Sequence, residues 1–467
     1  MKSDDNGPPG DTLTTPTRSM LAALESINLG DEVYSECTTT QSLESRIASL
    51  LGKSSALFVL SGTMGNQLAL RSLLFQPPHS ILLDSRSHIQ LHEAGGVASL
   101  SQAVTIPVVP SNGKYLQLED VQKHVVLSTD VHFAPTGVIS LENTIAGVIM
   151  PVEEVRRIGE WARGVGIKVH LDGARLWNAC SVPEPSAELL GEYAKHVDSV
   201  SVCFSKSLGA PVGSCIAGDE RTIANARHMR KAVGGGIRQA GILTAMARVG
   251  VEEVFFGGKL SQANASAKIL AEKWATLGGG FMLPVDTNML WLDLEGRGID
   301  DGIWKEAVEE GGVRIWGDRI VCHYREYSHV NYERAGRKVE ADGGSLQKTR
   351  LVPWRRLRRL WKLRAKLLMR GGRVGSKKSA GEGRRSERGL TDSLTSTLCG
   401  MVLQKNEKLV VIYTTCSSFW ETRWYSTDSF RDLKAGEQPI SADSESLTTK
   451  VLLPTRYPIT AGARFPE

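Results

Sequence analysis

From Val33 to Gly250, short apolar, β-branched runs alternate with longer stretches in which apolar residues recur every three or four positions. This alternation predicts a parallel sheet covered by helices, because a strand buried on both faces is a continuous apolar run and its crossover helix is amphipathic. Ser55–Leu60, Ser80–Asp84, Ile167–Asp172, Val197–Phe204 and Gly213–Ala217 read as strands, and Val138–Leu141 and Ala146–Met150 as extended. Met64–Leu74, Val152–Gly164, Arg238–Arg248 and Ser261–Leu277 read as helices, while Asn288–Leu294 with Gly311–Tyr324 suggests a smaller α+β unit. The fold class expected is α/β. An N-terminal segment (1–30) precedes a large domain (31–250) and a small C-terminal domain (251–324), followed by a tail (325–467).

Charge sharpens that last boundary. Residues 1–324 carry 28 basic and 36 acidic side chains, whereas residues 325–467 carry 28 and 15, so the formal +5 of the whole chain conceals an acidic body and a basic tail. Trp354, Leu357, Trp361, Ala365 and Leu368 fall on one helical face opposite arginines, a pattern shared with membrane-surface and nucleic-acid-binding helices. The stronger reading is a poorly ordered or out-of-frame stretch, and no nucleic-acid or membrane partner is expected from it. The seven cysteines are scattered without a CxxC pair, and no apolar leader opens the chain. A reducing cytoplasm is the expected compartment.

Chemistry concentrates at strand ends. Lys206 follows an apolar strand in the small-residue loop Phe204-Ser-Lys-Ser-Leu-Gly-Ala-Pro-Val-Gly213. Partial desolvation there would favour the uncharged amine that attacks an aldehyde. Asp172 ends the apolar strand Ile167-Lys-Val-His-Leu-Asp172, and a buried carboxylate needs a cationic or hydrogen-bonding mate. That mate is either a protonated heterocycle or Arg175, three residues on. Gly62 and Thr63 lie between a strand and a helix, where backbone N–H groups can cradle a phosphate. His88 lies just past a strand end, placed to stack on a flat ring, with His92 the weaker candidate. No metal-ligand cluster is visible in the spacing.

These segments resemble the low-specificity L-threonine aldolases of the β-eliminating lyase superfamily across roughly residues 11–324. The resemblance rests on Asp11-Thr-Leu-Thr-Thr-Pro-Thr17, Gly30-Asp-Glu-Val-Tyr34, Leu60-Ser-Gly-Thr-Met-Gly-Asn66, Ser87-His88, His92-Glu-Ala-Gly-Gly96 and Leu141-Glu-Asn-Thr144. It rests equally on His170-Leu-Asp-Gly-Ala-Arg-Leu176, Ser205-Lys-Ser-Leu-Gly-Ala-Pro-Val-Gly213 and Gly234-Gly-Gly-Ile-Arg-Gln239. It implies a fold-type I architecture like that of aspartate aminotransferase, pyridoxal 5′-phosphate as cofactor, and a homodimer or homotetramer with active sites at subunit interfaces. By position, Lys206 is implied to be the Schiff-base lysine, Asp172 the pyridine partner, Gly62 and Thr63 the phosphate loop, and His88 the ring-stacking histidine. Arg175 is implied to lie near the cofactor or the substrate carboxylate, and Arg319 to clamp that carboxylate. Lys231 and Arg238 are implied to reach a neighbouring subunit's phosphate, and Tyr34 to cross the same interface.

The implied reaction is cleavage of L-threonine or L-allo-threonine to glycine and acetaldehyde, with His88 or a water beside it removing the β-hydroxyl proton. Four departures stand out. Pro9-Gly10 replaces a usual Arg-Ser before Asp11-Thr12, and Cys37-Thr38 replaces an Asp-Pro. Ile145 stands where bacterial members often have histidine, and the basic tail replaces the family's closing helices from Arg325 onward. Two other readings compete: an alanine racemase of the same family, and a catalytically impaired product whose basic tail binds polyanions.

Overall fold

The computed structural model describes residues 10–310 and 317–326, together with three strands farther along the chain. Two compact units result, Met1–Gly375 and Ser376–Glu467. The core of the first unit is a seven-stranded sheet built from β1 (Ser55–Val59), β2 (Ser80–Asp84), β3 (Val104–Val108), β4 (Thr136–Glu142), β5 (Lys168–Gly173), β6 (Ser199–Cys203) and β7 (Ser214–Gly218). Their order is β1-β7-β6-β5-β4-β2-β3, and only β7 runs antiparallel to its neighbours. Every residue of β2, β6 and β7 is buried, which explains why these strands read as unbroken runs of small and apolar residues. Phe58, Leu171, Trp177, Val200, Phe204 and Phe255 belong to one apolar cluster that joins the sheet to its covering helices. Burying each such side chain contributes roughly 1.5–3 kcal/mol relative to leaving it in water.

Because β1, β2, β4, β5 and β6 are parallel, their carboxyl ends lie along one edge of the sheet, where α/β proteins place ligands. The helix Gly62–Leu73 packs on β6 and β7 and brings its N-terminus to that edge. β8 (Met289–Trp291) and β9 (Arg319–Val321) form a separate antiparallel pair. No helix among the described residues is long and apolar enough to cross a membrane.

The pattern reading departs from the structure at several points. Ala146–Met150 turns rather than extends, because Gly147 adopts φ +86° and the Asn143 side chain bonds the Met150 backbone at both its oxygen and its nitrogen. β3 is absent from the pattern reading: it is an edge strand containing Pro107, with Val104 and Pro107 exposed, and so lacks the apolar continuity of its neighbours. The helix expected from Arg238 begins at Gly241. The long helices Thr38–Leu50 and Glu220–Ala232 were also missed, being rich in Thr, Ser, Arg and Asn.

The second unit contains β10 (Cys399–Lys405), β11 (Lys408–Thr414) and β12 (Glu421–Ser426), an antiparallel meander in which Lys405 pairs with Lys408 across the first turn. These three strands fall within residues 325–467, the stretch read from sequence as a poorly ordered or out-of-frame tail. The basic amphipathic stretch Trp354–Met369 lies outside the described residues, as do residues 311–316.

Candidate active site

Five strand ends converge on one edge, and each delivers a polar group. After β1, Ser61 caps the helix Gly62–Leu73, its hydroxyl accepting from the Met64 N–H at 3.1 Å. Gly62 and Thr63 form the first turn, where backbone N–H groups lack intrahelical acceptors. The Ser214 hydroxyl is buried without a hydrogen-bond partner among the described residues, and a Cβ on Gly62 would stand 3.7 Å from it. A helix N-terminus flanked by an unused hydroxyl suits an anionic group such as a phosphate.

After β2 comes His88. Its backbone N–H donates to Glu142 Oε2 at 2.8 Å, and its Nδ1 is 2.8 Å from Glu93 Oε1. Glu142 ends β4 and pairs in register with Asp172 at the end of β5. Asp172 is buried, with Oδ2 accepting from Asn66 Nδ2 at 2.7 Å and Oδ1 from the Ala174 N–H at 3.0 Å. Arg175 does not supply its mate: the guanidinium forks onto Asp11, with Nε and Nη2 each 2.7 Å from a carboxylate oxygen. The local Asp172–Arg175 pairing left open by the sequence is thus replaced by a long-range one.

After β6 the chain makes a tight turn around Lys206. Gly209 N–H donates to the Lys206 carbonyl at 2.9 Å, and Ala210 N–H to the Phe204 carbonyl at 3.0 Å. Ser207 donates its hydroxyl to Asp11 Oδ2 at 2.7 Å, so Asp11 ties the Lys206 turn to Arg175. The partly buried Lys206 acts electrostatically on both Asp11 and Glu142, and Asp172 acts on Glu142 as well. Lys206 and Asp172 therefore share a neighbourhood.

Electrostatics differ sharply between the acids. Burial and the adjacent Asp172 push the Glu142 carboxyl up to about 8, against the opposing pull of the His88 N–H, Lys206 and Arg175. For Asp11, burial alone would raise the value, but the Arg175 charge and hydrogen bonds outweigh it and hold the group well below the usual carboxylate range. His323 is depressed to about 4, mainly by burial, and contacts the Ser207 backbone, so the residue two positions past β9 reaches the lysine turn.

The remaining predicted residues contact other groups. The Arg319 guanidinium sits over the Trp291 ring, 5.9 Å from its centroid. Tyr34 is 77% exposed, and Lys231 and Arg238 are also on the surface. They cluster loosely, since Glu32 N–H donates to the Arg238 carbonyl at 2.8 Å and Gly236 packs between Lys231 and Val33. Among the described residues, no hydrogen bond, ion pair or electrostatic contact joins these four to Lys206 or Asp172.

Asp11, Asn66, Glu93 and Glu142 fall within the shared motifs with no role implied there, and nothing local marks Ser201, Ser207 or His170. One signal was available: Asp84 and Glu142 end apolar strands as Asp172 does. The ligand atoms of His88, Glu93 and Asp172 lie within 4.8 Å of one another, a grouping drawn from separate segments that spacing along the chain could not reveal. Its members already hydrogen-bond within the site, His88 to Glu93, and both acids to the Asn66 amide.

Comparison with known proteins gives this geometry a lineage. An aldolase of Penicillium aethiopicum, vrtJ, is 48% identical over 315 residues, covering 68% of this chain and 80% of that protein. The low-specificity L-threonine aldolase of Candida albicans is 48% identical over 322 residues, 68% of this chain and 84% of its own. The alanine racemase TOXG of Cochliobolus carbonum is 44% identical over 321 residues, with 68% and 82% covered. In fold, the threonine aldolase of Leishmania major superposes with a TM-score of 0.61 at 19% identity, over 77% of this chain and 98% of that one. The model of the beta-eliminating lyase family matches residues 10–296, and with these relatives it shows that the chain belongs to that family.

Proposed function

We propose that this chain is a pyridoxal 5′-phosphate-dependent lyase that cleaves L-threonine or L-allo-threonine to glycine and acetaldehyde. The observation that carries the reading is the shared surroundings of Asp172 and Lys206, both of which act on Glu142 at the sheet edge capped by the Gly62–Thr63 turn. The donor set fits the cofactor. Gly62, Thr63 and Ser214 suit its phosphate, Asp172 its ring nitrogen, His88 its ring face and Lys206 its aldehyde. When bound, the cofactor supplies an electron sink for charge developing at the substrate Cα.

The protein's own groups do the rest. Glu93, as a carboxylate, can only accept, so His88 Nδ1 carries the proton and Nε2 keeps a lone pair able to take the β-hydroxyl proton of the substrate. Arg175, held by Asp11 beside the Lys206 turn, is proposed to lie near the cofactor or the substrate carboxylate. Arg319 is the proposed carboxylate clamp. Tyr34, Lys231 and Arg238, exposed on this chain, are proposed to complete the site of a second subunit in a homodimer or homotetramer.

The test is borohydride reduction of the yellow protein followed by peptide mapping. Label on Lys206, with glycine and acetaldehyde formed from threonine, is the expected result; label on another lysine would overturn the assignment. The Cochliobolus carbonum relative keeps a racemase reading in play. Separate incubations with L-alanine and L-threonine decide it: D-alanine without glycine would replace the aldolase by a racemase.

A further inference from the structure

Asn66 is 1% exposed, lies in the helix Gly62–Leu73 beneath the strand ends, and uses its amide to full capacity. Nδ2 donates to Glu93 Oε1 at 2.9 Å and to Asp172 Oδ2 at 2.7 Å. Oδ1 accepts from Ser201 Oγ at 2.7 Å and faces His170 Nε2 at 3.2 Å. The amide is oriented with its nitrogen toward the two acids, whose oxygens take its two N–H groups. His170 Nε2 must then donate, leaving Nδ1 to accept from Ser199 Oγ at 2.8 Å. Burial agrees, since it lowers the His170 imidazole to about 4 and keeps it neutral.

We infer that Asn66 is a positioning residue that holds Asp172 and Glu93 ionised side by side, so that one amide sets both the partner of the cofactor's ring nitrogen and the tautomer of His88. The inference rests on the cofactor reading above. Two neighbouring carboxyls without donors between them do not both stay ionised; one keeps a proton. A proton on Asp172 removes the anion that pairs with the heterocycle, and a proton on Glu93 frees His88 to rotate or change tautomer. By donating one N–H to each acid, Asn66 removes that conflict without adding a charge. Gln67 supports the same arrangement, its Nε2 donating to Glu93 Oε2 at 2.6 Å.

The test uses Asn66→Asp, which keeps the side-chain shape and replaces the donor by an acceptor. Equilibrium binding is measured by absorbance for pyridoxal phosphate and for its 1-deaza analogue, which has carbon in place of the ring nitrogen. The variant should bind pyridoxal phosphate roughly tenfold or more weakly than wild type, while the two proteins bind the deaza analogue within about twofold. Equal weakening for both ligands, or none for either, would overturn the inference by reducing Asn66 to a structural role. If Asn66→Asp does not fold, Ser201→Ala serves: it removes the hydroxyl that steadies Asn66 Oδ1 and should weaken pyridoxal phosphate alone by roughly threefold. An equal effect of Ser201→Ala on both ligands overturns the inference in the same way. Wild-type protein that binds no pyridoxal phosphate would overturn the cofactor reading and this inference together, whereas tight wild-type binding retained by the variants would overturn the inference alone.

Discussion

Asp11, which carries no role in the sequence motifs, holds three segments together. It is 1% exposed, pairs with Arg175 and accepts from Ser207, and so links the N-terminal segment to two loops of the sheet edge. Asp11→Ala leaves a guanidinium only 15% exposed without its counter-charge, which costs on the order of 3–5 kcal/mol of unfolding free energy. Urea titration measures this, and a loss below about 1 kcal/mol would show that Arg175 finds water instead. The sign with pH follows from a carboxyl depressed in the folded state. Its contribution is present above the ordinary value of 3.8 and is lost as pH falls toward the lower folded value, so the acid limb of wild-type stability should flatten in Asp11→Asn. Glu142 behaves oppositely. Its folded value is raised from 4.5 to about 8, so in that window the unfolded carboxyl is ionised while the folded one keeps its proton, and stability falls as pH rises. In cofactor-stripped protein, Glu142→Gln should abolish that slope and gain stability over wild type toward the upper end of the window. Parallel melting curves for the two proteins from about 4.5 to about 8 would reject the assignment.

At the level of elements, the turn carrying Lys206 is braced from behind by β1 and β7. Gly213 adopts φ +112°, its carbonyl accepts from Phe204 N–H at 2.9 Å, and a Cβ there would meet the Phe58 ring at 2.5 Å. Gly213→Ala therefore strains the backbone and pushes an aromatic ring in the main core. The expected cost is about 1–3 kcal/mol, together with weaker cofactor retention, because the loop cannot shift without moving Lys206. Dialysis against cofactor-free buffer would show the second effect, and retention equal to wild type would argue that the turn tolerates displacement. The same elements show what sequence can disclose. β2, β5, β6 and β7 were legible because burial on both faces erases alternation, and Lys206 and Asp172 were legible because a charge at the end of such a run is costly without a purpose. β3, half-exposed and interrupted by Pro107, carries no such imprint. Asn66, Glu93 and Asp11 act through contacts between residues far apart in the chain, as the Asn66–Asp172 and Asp11–Arg175 bonds show, and no local pattern encodes those.

For the whole molecule, the distribution of the predicted site residues is the informative fact. Lys206, Asp172, His88, Gly62 and Thr63 gather at one sheet edge, while Tyr34, Lys231 and Arg238 stand exposed without contact to that group among the described residues. We propose that a closed two-fold assembly delivers these three to a partner's site. The expectation can be read by mixing two inactive proteins. Lys206→Ala lacks the reacting amine, and a Tyr34→Ala/Lys231→Ala/Arg238→Ala triple variant keeps the amine but lacks the donated groups. If each site draws on two subunits, co-refolding equal amounts forms mixed dimers in half of the assemblies. Each mixed dimer carries one intact site, which restores about a quarter of wild-type activity. Mixing that restores no activity, while both parents keep wild-type assembly by sedimentation, would place all three residues outside the shared site. Activity retained by the unmixed triple variant would do the same.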